Sequence, residues 1–108
     1  MTVRELVDTL NLCIVSEGDL CRNINGCYIG DLLSWVMSNA QSDNVWLTIM
    51  SNINIVAVAT LTDVSCIILC ENVSPDEECL KKAQLQEINI LKTDMSTYDL
   101  AVKLGAVL

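Results

Sequence analysis

The sequence predicts an α/β fold, with a mostly parallel sheet of about four to five strands and flanking helices. Runs of consecutive apolar residues at 45–50 and 64–70 are typical of strands that are buried on both faces. Helix-capping residues and helical apolar spacing separate these runs, and such alternation is typical of βαβ units. The chain has 108 residues, of which 52% are apolar. This size and composition predict one domain over residues 1–108, with a hydrophobic core of its own.

The order of elements follows from capping residues and apolar runs. Helix starts are predicted at Thr2, Asp31, Asn52, Ser74 and Ser96. Strands are predicted at residues 12–15, 45–50, 64–70 and 88–91, and a short strand over 20–24 is compatible with the polar connection at 17–26. The signal at Ser74 is the clearest, because Pro75 suits the first helical position and Glu77 completes a capping box.

The charge of the chain excludes two classes of partner. Acidic residues outnumber basic residues by 14 to 6, which gives a formal net charge of −8. Proteins that bind nucleic acid or an anionic membrane surface need clustered Lys and Arg, and the basic residues of this chain form no such cluster. Neither nucleic acid nor a membrane is therefore an expected partner.

The chain contains no histidine. Histidine is the commonest general base, the usual partner of a Ser or Cys nucleophile, and the commonest metal ligand. Its absence argues against most hydrolase mechanisms. No catalytic residue, no metal site and no cofactor is therefore predicted.

Two features of the sequence bear on its compartment. The first eight residues carry two acidic side chains and no long apolar run, so they do not resemble a signal peptide. The long uncharged run at 44–62 has Asn52 and Asn54 near its middle, which predicts a strand, a polar turn and a helix rather than a membrane span. We therefore expect a cytoplasmic protein.

Six cysteines are present, and no two of them have the C-x2-C spacing typical of zinc sites. Without a secretion signal, a disulfide framework is not expected either. Cys66 and Cys70 are predicted to fill a buried sheet as small apolar side chains. Cys21 and Cys27 flank a turn and are the candidates for redox or metal chemistry.

The segment from Gly26 to Asp31 is predicted to be a glycine-bearing turn before a helix. Its candidate ligand-binding residues are Gly26, Tyr28, Gly30 and Asp31. Main-chain amides in such a turn can bind an anion, whereas the alternative is a tight turn that needs glycine for a positive φ. Because Asp31 would repel an anion, a cation, a hydroxyl group or an amide of a partner is the better ligand for it.

A second polar segment follows the strand at 45–50. In parallel sheets, ligands gather at the carboxyl ends of the strands. Ser51, Asn52 and Asn54 are therefore predicted to line a small-molecule site at this edge. The alternative is that Asn52 only caps the helix at 55–61. No charged side chain is present in this segment to neutralise a carboxylate or phosphate.

Two short apolar helices predict an interface between two copies of the chain. The helix at 55–61 is apolar almost all round, so it is expected to be buried on more than one side. The helix at 32–37 is similar and carries a tryptophan, a residue that is enriched at interfaces. The predicted interface residues are Leu33, Trp35, Val36, Ala57 and Ala59. The alternative is that these side chains pack in the core.

Two stretches of the sequence resemble the stand-alone DRTGG-domain proteins of anaerobic bacteria. Residues 21–37 contain the string Tyr-Ile-Gly-Asp-Leu-Leu-Ser-Trp-Val-Met, and residues 48–59 contain Met-Ser-Asn-Ile-Asn. The Pro-Asp-Glu helix start and the strand at 90–91 fit the same pattern, so the resemblance covers essentially the whole chain. The family is similar to the N-terminal domain of HPr kinase/phosphorylase. The sequence departs from the family pattern at Cys21, where Asp is common, and at Cys27, where a second Gly is common.

The resemblance implies a non-catalytic, homodimeric regulatory module. Some family members are labelled as kinases, but none of the four glycines here begins the G-x4-G-K-[ST] string of a P-loop. We expect a small ligand, with nucleotides as one candidate class, at the carboxyl edge of the sheet. The alternative is an interaction module without a small ligand that associates with a hydrogenase or redox assembly, because stand-alone members often lie near genes for iron-only hydrogenase.

Overall fold

A computed structural model describes all residues from 1 to 108. Five helices and five strands alternate along most of the chain. The helices are α1 (Val3–Leu10), α2 (Leu33–Asn39), α3 (Asn54–Thr62), α4 (Glu77–Leu85) and α5 (Thr97–Val107). The strands are β1 (Cys13–Ser16), β2 (Gly26–Ile29), β3 (Asn44–Thr48), β4 (Cys66–Leu69) and β5 (Ile90–Lys92). No helix is both long enough and apolar enough to cross a bilayer.

All five strands form one sheet in the order β1-β5-β4-β3-β2. Strands β2, β3, β4 and β5 are parallel to one another, and β1 pairs antiparallel with β5. The predicted α/β fold with a mostly parallel sheet is therefore confirmed, and the sheet is mixed because of β1.

The strand order decides on which face each helix lies. The chain moves from β2 to β5 in one direction across the sheet, and right-handed crossovers then place α2, α3 and α4 on the same face. The cores agree with this. One core joins buried residues of α2, α3 and α4 to Trp46, Ile67 and Ile90 of the sheet. The other core lies on the opposite face, between the sheet and the helices α1 and α5.

Helices pack on both faces of the central strands, which explains why the sequences of these strands are continuously apolar. Within β3, Val45 and Leu47 point into the core of α1 and α5, while Trp46 points into the core of α2, α3 and α4. All three side chains are fully buried. Because successive side chains of a strand alternate between faces, a strand with helices on both sides needs apolar residues at every position.

The predicted strand at 20–24 is wrong, and the strand of this region is β2 instead. Leu20 and Ile24 are buried, but their main chain bonds to the start of α1 rather than to the sheet. The carbonyls of Leu20 and Arg22 accept from the amides of Arg4 and Val3 at 2.9 and 3.0 Å. Their apolar side chains therefore close one end of the α1 core and do not extend the sheet.

The helix starts are confirmed at Thr2 and Ser96 and corrected elsewhere. Thr2 caps α1 in a capping box, and Ser96 accepts from the Asp99 amide at 3.1 Å. Helix α4 begins two residues later than predicted, because the carboxylate of Asp76 rather than the Ser74 hydroxyl accepts from the first turn. The Ser74 hydroxyl instead binds the amine of Lys92.

Candidate functional site

The carboxyl edge of the sheet is formed by the loops that follow the four parallel strands. Strand β1 runs in the opposite direction, so its first residue and the preceding turn lie at the same edge. Polar side chains from five separate parts of the chain therefore lie along this edge. This is the edge at which open α/β sheets usually bind ligands.

Asp31 lies at this edge, but its carboxylate is already engaged. Its Oδ1 accepts from the Thr48 hydroxyl at 2.8 Å and from the Ile49 amide at 3.0 Å. It does not cap α2, whose N-cap position is Leu32 and has no side-chain cap. The predicted cap is therefore wrong. Asp31 links the end of β2 to the end of β3, and its second oxygen remains free of protein donors.

The predicted turn from Gly26 to Asp31 is strand β2 over its first four residues. No glycine in the chain has a positive φ, so the alternative of a tight turn that needs glycine for its φ is wrong. Gly26 pairs with Asn44 at the amino end of β3, at the opposite end of β2 from Gly30. Tyr28 is partly buried against the core of α2, α3 and α4. The structure therefore brings Gly30 to the carboxyl edge, and Gly26 lies away from it.

Close packing, and not its φ angle, favours glycine at position 30. A Cβ at this position would lie 3.1 Å from the Tyr28 ring and 3.5 Å from Val36. Its carbonyl accepts from the Trp46 indole N–H at 2.9 Å, which satisfies the one polar group of that buried ring. Gly30 therefore holds the end of β2 against the sheet.

The segment with Ser51, Asn52 and Asn54 lies at the predicted edge and makes a turn before α3. Asn52 Oδ1 accepts from the Asn54 amide at 2.9 Å, although the formal N-cap position is Ile53. The Ser51 carbonyl accepts from the Asp76 amide at 3.0 Å, which ties this turn to the start of α4. None of the three side chains lines a cavity.

The largest polar cavity of the carboxyl edge lies further along it, between β5, β1 and the loop after β4. It is an open cleft of about 420 Å³, lined by Asn11, Cys13, Asn72, Lys92, Thr93 and Asp94. Sequence reasoning did not identify these residues as a site. The available signal was that the polar segments after β4 and β5, including Asn72 and Lys92, end neighbouring strands of the same sheet.

Lys92 is the only base that lines this cleft. It pairs across the sheet with Cys13, so the two side chains stand on one face next to each other. The Lys92 amine donates to the Ser74 hydroxyl, and no carboxylate lies within 4.0 Å of it. The cleft therefore presents a cation that is held in place by a neutral partner.

The predicted interface residues separate into buried and exposed sets. Val36 and Ala59 are buried in the core of α2, α3 and α4, and Leu33 packs against it. For these three, the structure supports the alternative of core packing. Ala57 is exposed, and Trp35 has 63% of its surface exposed.

Strand β2 pairs with β3 on one side and has no strand on its other side, and apolar side chains are exposed around this free edge. We call this the β2 surface, and it consists of Ile29, Leu32, Trp35 and Met37. An apolar groove of about 270 Å³ between β2 and α5 adjoins it. Residues 26–42 contain a single charged side chain, that of Asp31. A strongly acidic protein thus leaves one end of its sheet almost uncharged.

The cysteines differ in accessibility. Cys66, Cys70 and Cys79 are buried, as predicted for the first two, and Cys13, Cys21 and Cys27 are exposed. Burial raises the pKa of the Cys66 thiol to about 12. Desolvation of its sulfur raises the pKa of Cys27 to about 11, although the residue as a whole is exposed. Because the thiolate is the reactive form, a raised pKa argues against a redox role for Cys27.

The opposite, amino edge of the sheet is closed by an ion-pair cluster. Arg22 lies 2.7 Å from the Asp43 carboxylate and 3.1 Å from that of Asp63, and it also donates to the Asp63 carbonyl. Burial opposes ionisation of Arg22, but these acidic partners outweigh it and raise its pKa. The arginine of the segment that resembles the DRTGG pattern therefore ties loops together. No group of three or more Cys, Asp and Glu side chains is placed to hold a metal ion.

Comparison with known proteins places this geometry in a family. The model of the DRTGG domain matches residues 5–107. Among solved structures, the chain is similar to the CBS and DRTGG domains of the regulatory region of Clostridium perfringens pyrophosphatase, complexed with the activator diadenosine tetraphosphate. That match has a TM-score of 0.74 and 12% identity, and it covers 94% of this chain and 44% of the other. No curated protein matches the sequence.

Proposed function

Since the chain belongs to the DRTGG domain family, we propose that it is a non-catalytic regulatory module that binds a small ligand and acts as a homodimer. The single observation that carries the ligand half is the polar cleft around Lys92, at the carboxyl edge of the sheet. Ser51, Asn52 and Asn54 lie along the same edge and are proposed to flank bound ligand. Ligand binding would then shift the population of the conformation that a partner protein recognises.

Sequence chemistry supports a role without catalysis. The chain has no histidine to act as a general base and no P-loop to hold a nucleoside triphosphate for transfer. Nucleotides remain one candidate ligand class, because the regulatory region with the similar fold was solved with diadenosine tetraphosphate. That region is more than twice as long as this chain, so its nucleotide indicates a class to test here.

The β2 surface supports the homodimer. Exposed Ile29, Leu32 and Trp35 would leave water when two copies associate, and tryptophan is one of the residue types that contribute most to the energy of an interface. Two chains of net charge −8 repel each other, so an interface is favoured where charge is absent. The β2 surface meets that condition.

The same surface supports a second candidate function. A module that docks onto a hydrogenase or redox assembly would also need an exposed apolar face, and the β2 surface would serve it equally well. In that case no small ligand is needed for function. The two functions differ in what a ligand screen finds and in whether the purified chain associates with itself.

Thermal unfolding against a ligand panel tests the ligand half. The panel contains adenine and guanine nucleotides, inorganic phosphate, sugar phosphates, coenzyme A derivatives and divalent cations. A ligand that binds only the native state, at about 100 times its Kd, adds about 2.7 kcal/mol of stability, which raises Tm by several degrees in a domain of this size. A selective rise supports the regulatory module. A flat panel contradicts it and favours the interaction module.

Sedimentation equilibrium tests the homodimer. The wild-type chain is compared with Trp35→Ala and with Tyr98→Ala, which removes an even more exposed aromatic ring on α5, far from β2 in sequence. We expect the wild type and Tyr98→Ala to form dimers, and Trp35→Ala to shift to monomers with unchanged circular dichroism. A monomeric wild type at high concentration, or equal dimerisation of all three chains, would contradict the proposed interface.

A further inference from the structure

The Lys92 cleft contains a cation with unused hydrogen-bonding capacity. A lysine amine has three N–H donors, and the Ser74 hydroxyl accepts only one of them. The three ion pairs of the protein involve Arg22 and Lys81, and none involves Lys92. Two donors of a full positive charge therefore point to the space of the cleft or to solvent.

Apart from Cys13, the rest of the lining is polar, and Asp94 carries its only carboxylate. The side chains of Asn11, Asn72 and Asp94 make no hydrogen bond to the protein, so their acceptors and amide donors are free. The Thr93 hydroxyl accepts from the Met95 amide at 3.2 Å and keeps its own proton to donate. Such groups match hydroxyl groups, which both donate and accept.

The cleft offers little to a nucleobase. Its single apolar lining residue is Cys13, and no aromatic ring lines it. Bases are held largely by stacking on aromatic rings, which contributes about 1–3 kcal/mol per base. A ligand of this cleft therefore gains its affinity from polar groups and from one charge.

We propose that the cleft binds a small molecule of the sugar phosphate class, with one phosphate ester and several hydroxyl groups. This inference rests on the proposed function and specifies its ligand. The Lys92 amine binds the phosphate, and Asp94 accepts from hydroxyl groups, with the amides of Asn11 and Asn72 beside it. Asp94 and the acidic surface repel additional negative charge, so a monophosphate binds better than a di- or triphosphate.

Calorimetric titration of the full chain tests the inference with ribose 5-phosphate, ribose, AMP and ATP as probes. We expect ribose 5-phosphate to bind, ribose to bind at least about tenfold more weakly, and AMP to gain less than about tenfold from its base. ATP is expected to bind more weakly than AMP. The variant Lys92→Met should lose about tenfold or more in affinity for ribose 5-phosphate, whereas Lys103→Met, on the exposed side of α5, should lose none.

Several results would overturn the sugar phosphate inference. The first is that ribose 5-phosphate gives no heat of binding at millimolar concentration, and the second is that ribose binds with the same affinity as ribose 5-phosphate. The third is that AMP binds far more than tenfold more tightly than ribose 5-phosphate. The fourth is that Lys92→Met and Lys103→Met lose the same affinity for ribose 5-phosphate. The proposed function fails under a different outcome, which is that no member of the thermal panel stabilises the protein. If another member of the thermal panel stabilises the protein and Lys92→Met leaves that effect unchanged, the regulatory module stands and only the ligand class assigned to this cleft is wrong.

Discussion

Replacement of the buried Asn89 by alanine should destabilise the protein strongly without touching the cleft. Asn89 is 3% exposed and begins the approach to β5. Its Oδ1 accepts from the Gly18 amide at 2.6 Å, and its Nδ2 donates to the carbonyls of Asp19 and Ser65 at 2.8 and 3.1 Å. One side chain thus joins the connection after β1 to the start of β4 and to its own strand.

The magnitude follows from these three bonds. A neutral hydrogen bond contributes about 0.5–1.5 kcal/mol net, and a buried partner that is left without a bond costs about 1–3 kcal/mol. Asp19 is exposed, so its carbonyl can turn to water, whereas Ser65 is buried. We therefore expect Asn89→Ala to lower the free energy of unfolding by about 2–4 kcal/mol, which corresponds to a Tm lower by about 8–20 °C.

Urea unfolding followed by circular dichroism measures this loss, and the slope against urea shows whether the unfolded state has changed. The control is Asn39→Ala, because Asn39 is exposed and bonds only within its own helix and the following turn. It should stay within about 0.5 kcal/mol of the wild type. A loss below about 1 kcal/mol for Asn89→Ala, at an unchanged slope, would refute the view that this amide holds the connection after β1.

Three further predictions concern packing and thiol chemistry. Gly18→Ala should destabilise the protein by about 1–3 kcal/mol or more, because the added Cβ would lie 1.8 Å from a main-chain carbonyl oxygen. Gly105→Ala has open space around its Cβ and should stabilise α5 by up to about 1 kcal/mol. Urea unfolding of both variants measures the two changes in the free energy of unfolding. Between pH 9 and 11, the Cys66 thiol stays protonated in the folded protein but ionises in the unfolded chain, so the free energy of unfolding should fall as the pH rises. In the wild type this fall should exceed that of Cys66→Ala by up to about 1.4 kcal/mol per pH unit. Equal slopes of the two proteins in urea unfolding would contradict the raised pKa. Iodoacetamide followed by mass spectrometry should label the exposed Cys13 and Cys21 first, and early labelling of Cys66 would mean that the core opens.

Much of the fold could be predicted because its central strands are buried on both faces. A continuous apolar run such as residues 66–69 is typical of a strand in the middle of a sheet, where helices pack on both faces. Capping residues at Thr2 and Ser96 mark where helices begin. Edge strand β1 was also predicted, at 12–15, and lies at Cys13–Ser16, but the other edge strand, β2, carries no such signal. Strand β2 alternates between partly buried and exposed residues over only four positions, so the more apolar Leu20 and Ile24 gave the stronger but misleading pattern.

The candidate site was predicted at the right edge of the sheet but not from the residues that line its cleft. Ser51 and Asn52 are close in sequence, so their shared location was easy to infer. The cleft joins Asn11, Asn72 and Lys92, which are far apart in the chain. Asn72 and Lys92 lie together because β4 and β5 are neighbouring parallel strands. Asn11 joins them only because β1 pairs antiparallel with β5 at the edge of the sheet, and no local pattern in β1 fixes that partner or direction.

The positions of the cleft and the β2 surface determine how regulation would work. The cleft lies where β1 meets β5, and the β2 surface lies at the other end of the sheet, beyond β4 and β3. Strands are about 4.8 Å apart, so at least about 15 Å of packed sheet separates them and one ligand cannot contact both. If a ligand changes the dimer Kd by some factor, dimerisation must change the ligand Kd by the same factor. A ligand that binds monomer and dimer with equal affinity would therefore regulate through contacts around the cleft itself, and the β2 surface would then serve assembly alone.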